Sequence, residues 1–252
     1  MSGHSKWSTI KRKKAAADAK RGKLFTKLAR EIAVAAREGG PDLETNFKLR
    51  LVVEKAKAAN MPKDNIERAI RRGAGLEKGE ALEEITYEGY GPHGVALLVH
   101  VLTDNRNRAV SAVRRIFTRY GGSLGETGCV AWLFESKGYL TVEPNDHDPE
   151  RLFEIAVEAG AEDVVISDDL VEIYTDVGDF SQVRDALRTE GIPLESAQIS
   201  MIPKSLMSLG EKETMQVMHL IDALEGLDDV QEVYSNLEIP DEIMLKYEHE
   251  MA

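Results

Sequence analysis

The strongest constraint on folding lies between residues 138 and 202, where the apolar pattern changes period in the order β-α-β-β-α-β. GYLTVEP alternates as a strand does, and PERLFEIAVEAG repeats at helical spacing. DVVIS and LVEIYTD then form a hairpin about Asp168 and Asp169. FSQVRDALRTEG returns to helix, and SAQISMIP closes the series as a strand. That succession predicts the split-βαβ, ferredoxin-like arrangement, an antiparallel sheet with both helices on one face.

The flanking sequence must be accommodated around this block. Upstream, KLFTKLAREIAVAAREGG puts Leu24, Leu28, Ile32 and Ala35 on one helical face and stops at Gly39, Gly40 and Pro41. A second helix is expected from about Leu43 to Ala59, with Leu43, Phe47 and Leu51 stacked at i, i+4, i+8. NMPKDNIERAIRRG restarts a helix with Pro62 near its first turn, faces Ile66, Ala69 and Ile70 inward and stops at Gly73. Residues 73–84, rich in Gly and Glu, read as a linker. Beyond it Ile85 and Tyr87 alternate, GPHG (91–94) turns, and VALLVHVLT (95–103) is a buried strand. DNRNRAVSAVRRIFTRYGG is a helix with the stripe Val110, Val113, Phe117 and Tyr120, and CVAWLFES (129–136) is the next strand. After residue 202, KETMQVMHLIDALEGL reads as helix and VQEVYSNLEI as strand, without partners of their own nearby in sequence. Returning them to the sheet begun at Ile85 makes the 138–202 block an insertion.

The expected fold class is therefore α+β and multidomain. An N-terminal three-helix domain with a basic arm precedes two ferredoxin-like α+β domains, one inserted in the other. The expected boundaries are 1–78 for the helical domain and linker start, 79–136 plus 203–252 for the discontinuous domain, and 137–202 for the acidic insertion.

Charge divides the chain along the same line. The formal net charge is -12, yet the first thirty residues hold ten Lys or Arg and one acid, Asp18. Residues 1–72 hold 19 Lys/Arg and 8 Asp/Glu; of the totals of 32 and 44, that leaves 13 and 36 for residues 73–252. A basic module that meets polyanions and an acidic body that repels them is the physical reading. Lys11, Arg12, Lys13 and Lys14 are consecutive, followed by Lys20, Arg21, Lys23 and Lys27, and such density repels itself unless a polyanion compensates. Trp7 beside Lys6 is placed either to stack on a base or to pack on its own helical unit. A second basic group, Arg106, Arg108, Arg114, Arg115 and Arg119, shares one helix of the acidic body. Arg106 and Arg108 at its N-terminus are placed to clamp phosphates; ion pairs with surrounding carboxylates are the alternative.

Other chemistry is sparse. Six histidines, at 4, 93, 100, 147, 219 and 249, never reach metal-ligand spacing with one another or with Cys129. His100 reads as a hydrogen-bonded core histidine, His93 as a turn residue, and Cys129 as an inert thiol in an apolar strand. The acid pairs Asp168–Asp169 and Asp228–Asp229 fall in expected turns and read as solvated. There is no GxxxxGK[ST], GxSxG or GxGxxG, and no acid, base and nucleophile assemble, so neither an enzyme nor a cofactor, metal or small-molecule substrate is expected. No apolar run approaches the roughly 18 residues that span a bilayer, the N-terminus lacks the apolar core of a secretory signal, and the basic block runs directly into helix without a separable leader. A cytoplasmic location with no membrane partner is expected.

GHSKWSTIKRKKAAADAKRGKLFTKLAREI, NMPKDNIERAI, YEGYGPHGVALLV and TDNRNR together resemble the YebC/PmpR family, which includes the mitochondrial translational activator of cytochrome c oxidase. The resemblance covers essentially the whole chain. It implies three domains, one inserted in another, and nucleic-acid binding without catalysis. Members are described as DNA-binding transcriptional regulators, others as ribosome-associated translation factors acting at proline-rich stretches. The expected nucleic-acid contacts are Lys6, Trp7, Lys11, Arg12, Lys13, Lys14, Lys20, Arg21, Lys23, Lys27, Arg106 and Arg108. The Lys-rich arm neutralises phosphates without reading bases, which keeps ribosomal RNA open beside DNA. A protein–protein adaptor working through the acidic body is a third reading.

Overall fold

In the computed structural model, residues 18–77, 82–144, 148–167 and 170–250 are described. Ala, Leu, Lys, Arg and Glu, all strong helix formers, make up most of the first helix, α1 (Asp18–Gly39). It ends where Gly40 takes φ 84°, a conformation that glycine enters without strain. The next helix begins at a side-chain latch. Asn46, 5% exposed, accepts from the Leu49 N–H with its Oδ1 (3.0 Å) and so caps α2 (Phe47–Ala58). Its Nδ2 donates to the Ala35 and Gly40 carbonyls, 2.8 Å each, which fixes the α1–α2 corner. Asn46→Ala removes all three bonds and strands two carbonyls. We expect it to lower stability by about 2–3 kcal/mol, measured by urea unfolding of the full chain.

Because Asn46 sets where α2 starts, its buried face is Leu49, Val53 and Ala56. The expected stack of Leu43, Phe47 and Leu51 is thereby corrected: Leu43 precedes the helix, and the other two are only half-buried. α3 (Lys63–Gly73) completes the unit, and Leu28, Ile32 and Ala35 of α1 meet Leu49, Val53, Ile66 and Ala69 in one core. A Cβ on Gly73 would stand 2.1 Å from the Ala33 carbonyl oxygen, so α3 crosses α1 at backbone contact.

The first sheet has the order β3-β1-β2-β8, from β1 (Glu83–Tyr90), β2 (Ala96–Thr103), β3 (Ser123–Leu124) and β8 (Val230–Ser235). All its pairings are antiparallel. Val95, Leu97, Val99 and Val101 share a core with α4 (Arg106–Arg119) and α7 (Glu211–Glu225). Residues 239–250 supply an element that the sequence reading lacks. Pro240 leads into α8 (Asp241–Glu250), which adds Ile243, Met244 and Tyr247 to that core. Their i, i+1, i+4 spacing was the available signal.

The second sheet has the order β5-β6-β4-β7, from β4 (Phe134–Val142), β5 (Ala161–Ile166), β6 (Val171–Thr175) and β7 (Ser196–Pro203). With α5 (Pro149–Glu158) and α6 (Phe180–Thr189) it forms the ferredoxin-like unit expected from the element order. The hairpin tip Asp168–Asp169 lies outside the described residues. The two strands expected over 129–136 and 138–144 are corrected to one, β4. Gly138 does not break it: a Cβ there would stand 2.2 Å from Thr175 Oγ1 and 2.6 Å from Phe180 Cδ2, so its hydrogen lets α6 pack against the strand. Cys129 accordingly lies in a bend before β4, half-buried, and burial pushes its thiol pKa up.

By contacts the chain forms two units, one of residues 132–206 and the other holding the described residues 18–131 and 207–250. The three helices and the first sheet thus share a unit, whereas the sequence reading treats the helices as a domain of their own.

Candidate nucleic-acid interface

Of the twelve expected contact residues, Lys6, Trp7, Lys11, Arg12, Lys13 and Lys14 lie outside the described residues. Lys20 falls in the first turn of α1, and Arg21 follows it there, exposed. The remaining four are placed by the fold, with different surroundings.

Lys23, Lys27 and Arg30 recur at i, i+4, i+7 along α1 and face the end of α7. Lys23 Nζ donates to the Gly226 carbonyl (3.2 Å) and Lys27 Nζ to that of Glu225 (2.8 Å). These are the last carbonyls of a helix, where the peptide dipoles leave partial negative charge. Arg30 reaches the Asp228 carbonyl and the Asp229 carboxylate, the latter at 3.0 Å. Asp229 also accepts from Arg108 Nη2 at 3.0 Å and from the Thr103 hydroxyl at 3.1 Å. The expectation of a solvated Asp228–Asp229 pair is corrected for one member: the Asp228 side chain is 71% exposed, the Asp229 side chain 13%. Three donors from α1, β2 and α4 explain why a carboxylate sits there with so little water.

Arg108 also binds Asp104, at 2.5 Å, so in this structure its guanidinium lies between two carboxylates. Arg106 is exposed, and its carbonyl accepts from the Tyr87 hydroxyl (3.4 Å). Arg114 and Arg115 are exposed, and Arg119 lies 5.8 Å from the Tyr120 ring centroid. Of the two Arg readings, Arg108 follows the ion-pair one, while Arg106, Arg114 and Arg115 carry no carboxylate partner among the described residues.

The opposite face of the first sheet repeats the theme. Lys55 of α2 bridges Glu31 (3.1 Å) and Glu232 (3.2 Å), and Lys48 bridges Glu38 (2.9 Å) and Glu84 (3.6 Å). His100 Nε2 lies 2.9 Å from Glu84 Oε1. That hydrogen bond, opposed by partial burial and aided by Lys48, holds the Glu84 pKa at about 2. A carboxyl whose folded pKa lies below its ordinary 4.5 stabilises the fold above that value and loses the effect as pH falls toward 2. Glu84→Gln should therefore lower stability near neutrality and match the parent near pH 2. Solvent screening limits the difference to about 0.5–1 kcal/mol, readable from melting temperatures along a pH series.

Two further loops are held by side chains. The Glu88 carboxylate accepts from the backbone N–H of Gly128 (2.6 Å), Val130 (2.9 Å) and Ala131 (2.8 Å). Burial pushes its pKa up, but these three donors outweigh it and hold it below the ordinary range. The GPHG tip is one tight turn (Pro92–Gly94) with His93 at φ 63° and its Nε2 2.7 Å from Gln216 Oε1 on α7.

Sequence reasoning missed a basic surface between α1 and α3. Thr26, Arg30, Ala33 and Arg37 form one stripe of α1, facing Asn65, Arg68, Ala69 and Arg72 of α3 across an open groove of about 1180 Å³. Arg37 donates to the Leu82 carbonyl, a neutral acceptor. Arg68 and Arg72 are exposed and have no carboxylate partner among the described residues. The i, i+4 spacing of 68 and 72 in NIERAIRRG was the available signal, obscured because that segment is informative mainly for its apolar face. Among the described residues no cluster of three or more His, Cys, Asp or Glu side chains is placed to hold a metal ion. No helix among them is long and apolar enough to cross a membrane.

Comparison with known proteins adds to this geometry. Residues 5–76 match the family described as the TACO1/YebC protein N-terminal domain, and residues 82–237 that described as the TACO1/YebC second and third domain. A protein of Dictyoglomus turgidum named "Probable transcriptional regulatory protein" is 54% identical, covering 97% of this chain and 98% of its own. One of Desulforapulum autotrophicum, similarly named, is 55% identical over 96% and 98%. A crystal structure of a conserved hypothetical protein from Aquifex aeolicus superposes with a TM-score of 0.82 at 51% identity, over 88% of this chain and 92% of that one.

Proposed function

The chain belongs to the TACO1/YebC family, and we propose that it is a non-enzymatic, nucleic-acid-binding regulator of gene expression whose contact surface is the N-terminal basic module. The relatives' shared name supports the regulatory role. The observation that carries the nucleic-acid part is the charge division, 19 Lys/Arg against 8 Asp/Glu in residues 1–72 and 13 against 36 thereafter. A polyanion meets attraction on one module and repulsion from the rest, which orients the complex. DNA-directed transcriptional regulation is the reading the relatives' names favour. Within the arm, Lys11, Arg12, Lys13 and Lys14 supply the largest electrostatic share, with Lys6 and Trp7 beside them.

A second reading, a ribosome-associated translation factor, is favoured by the arm's composition. Lys is a compact point charge suited to phosphates of folded RNA, whereas base reading draws on Arg, Asn and Gln. The GPHG tip, anchored through His93 to Gln216, is in this reading a rigid probe toward a ribosomal site. Sucrose-gradient fractionation of lysate, with DNase and RNase applied to separate aliquots, tests both. Co-migration with ribosomal particles that survives DNase and vanishes with RNase selects translation. A position at the top of the gradient, with footprinting that recovers a promoter site, selects transcription. Absence of both nucleic-acid associations refutes the proposal.

A further inference from the structure

We infer that the groove between α1 and α3 is a seat for a phosphodiester backbone, gripped by Arg37, Arg68 and Arg72; this rests on the nucleic-acid reading above and assigns it a site. Three observations lead there. First, the cations of α1 divide along its length. Lys23, Lys27 and Arg30 turn toward the α7 carbonyls and Asp229, which satisfies them within the fold. Among the described residues Arg37 bonds a neutral carbonyl, and Arg68 and Arg72 face solvent without a carboxylate partner. The one acid lining the groove among the described residues, Glu77, is held by Arg71 at 2.7 Å. Among the described residues the groove therefore keeps a net positive charge.

Second, its floor is small. Ala29, Ala33, Ala69, Gly73, Ala74 and Gly75 line it. Phe25 and Met61 are the bulkier lining residues, and because α1 and α3 touch at Ala33 and Gly73 a chain would lie along the open mouth of the groove. Third, its size and openness suit a polymer. About 1180 Å³ exceeds the roughly 300–1,000 Å³ of ordinary small-molecule pockets. The cations are moreover all arginine, whose planar fork matches phosphate oxygens two at a time. A phosphate chain lying along the groove would meet Arg68 and Arg72 one helical turn apart on one wall and Arg37 on the other.

The test uses the full chain and two probes, a 20-base-pair DNA duplex and an RNA hairpin, with affinity measured by fluorescence anisotropy across a salt series. Arg68→Ala/Arg72→Ala should lose about 25- to 60-fold in affinity at 0.1 M salt and flatten the log–log salt slope by about 1.4–1.8, the release expected for two phosphate contacts. The probe that shows this loss identifies the source of the phosphates. Arg68→Lys/Arg72→Lys should keep most of the slope while losing affinity, because the charge survives and the fork does not. Both variants change exposed side chains, and unchanged thermal melting would separate a lost contact from a lost fold. If the parent binds and the double Ala variant matches it in affinity and slope, the groove assignment is wrong while the nucleic-acid reading stands. If the parent binds neither probe, the reading itself fails. Equal binding of a poly-glutamate peptide, with the same loss in the Ala variant, would overturn the assignment in favour of an acidic protein partner.

Discussion

Replacing Lys11, Arg12, Lys13 and Lys14 with Glu is expected to flatten the salt dependence of nucleic-acid binding by about 3 to 4 units, the largest effect of any surface change in this protein. Each cation that neutralises a phosphate releases condensed counterions, worth a slope of about 0.7 on single strands and 0.9 on duplex. Four lost contacts correspond to roughly a thousandfold in affinity at 0.1 M salt by the same relation. The loss should be nearly uniform across sequences, since phosphate contacts carry no base information. Thermal melting measured beside the binding separates a lost contact from a lost fold. Affinity and slope both unchanged would remove the arm from the binding surface. An affinity loss confined to one sequence would instead mean that these residues read bases.

Asp229→Ala is expected to be the most damaging single substitution at the seam between the helices and the first sheet. Its carboxylate receives Arg30 from α1, Arg108 from α4 and the Thr103 hydroxyl from β2, with a side chain 13% exposed. Removing it brings two guanidinium groups together without the carboxylate between them, leaving Arg30 the Asp228 carbonyl, Arg108 the Asp104 carboxylate and Thr103 the Asn105 carbonyl. Breaking a fully buried pair costs about 3–5 kcal/mol. With Arg108 half-exposed and able to rehydrate, we expect about 2–3 kcal/mol here. Arg108→Ala should do much less, because Asp229 keeps Arg30 and Thr103. A urea-unfolding series of the two variants checks the order. Equal effects would show that the carboxylate acts only through Arg108. The substitution also removes one negative charge shared by Arg30 and Arg108, so duplex affinity should hold or rise while stability falls. That divergence separates a structural role from a binding one.

The same comparison shows why the candidate site was only partly legible beforehand. Lys23, Lys27 and Arg108 look equivalent to their neighbours in a charge count. Their partners, Gly226, Glu225 and Asp229, lie 203, 198 and 121 residues away. Nothing local distinguishes a cation that will cap a distant helix from one that will face water. Arg68 and Arg72 were passed over for the converse reason. Their segment announces itself through Pro62, Ile66 and Gly73, and its polar face gains meaning only once α1 lies opposite with Arg37. The strand boundary at Gly138 failed similarly, because a glycine that breaks a strand and one that admits Phe180 are the same letter.

What the sequence determined by itself is whatever depends on near neighbours or on sums. The order of helices and strands follows from apolar period, the ferredoxin-like insertion from that order, and the basic module and acidic body from counting charge. The tertiary structure decided the rest: where α2 begins, which face of it is buried, that β4 is one strand, and which cations are already satisfied. Those outcomes turn on side chains such as Asn46 and Asp229, whose hydrogen-bond partners come from separate elements. Periodicity is encoded in adjacent residues, but the solvation of a charge is set by every group the fold brings within a few ångströms of it.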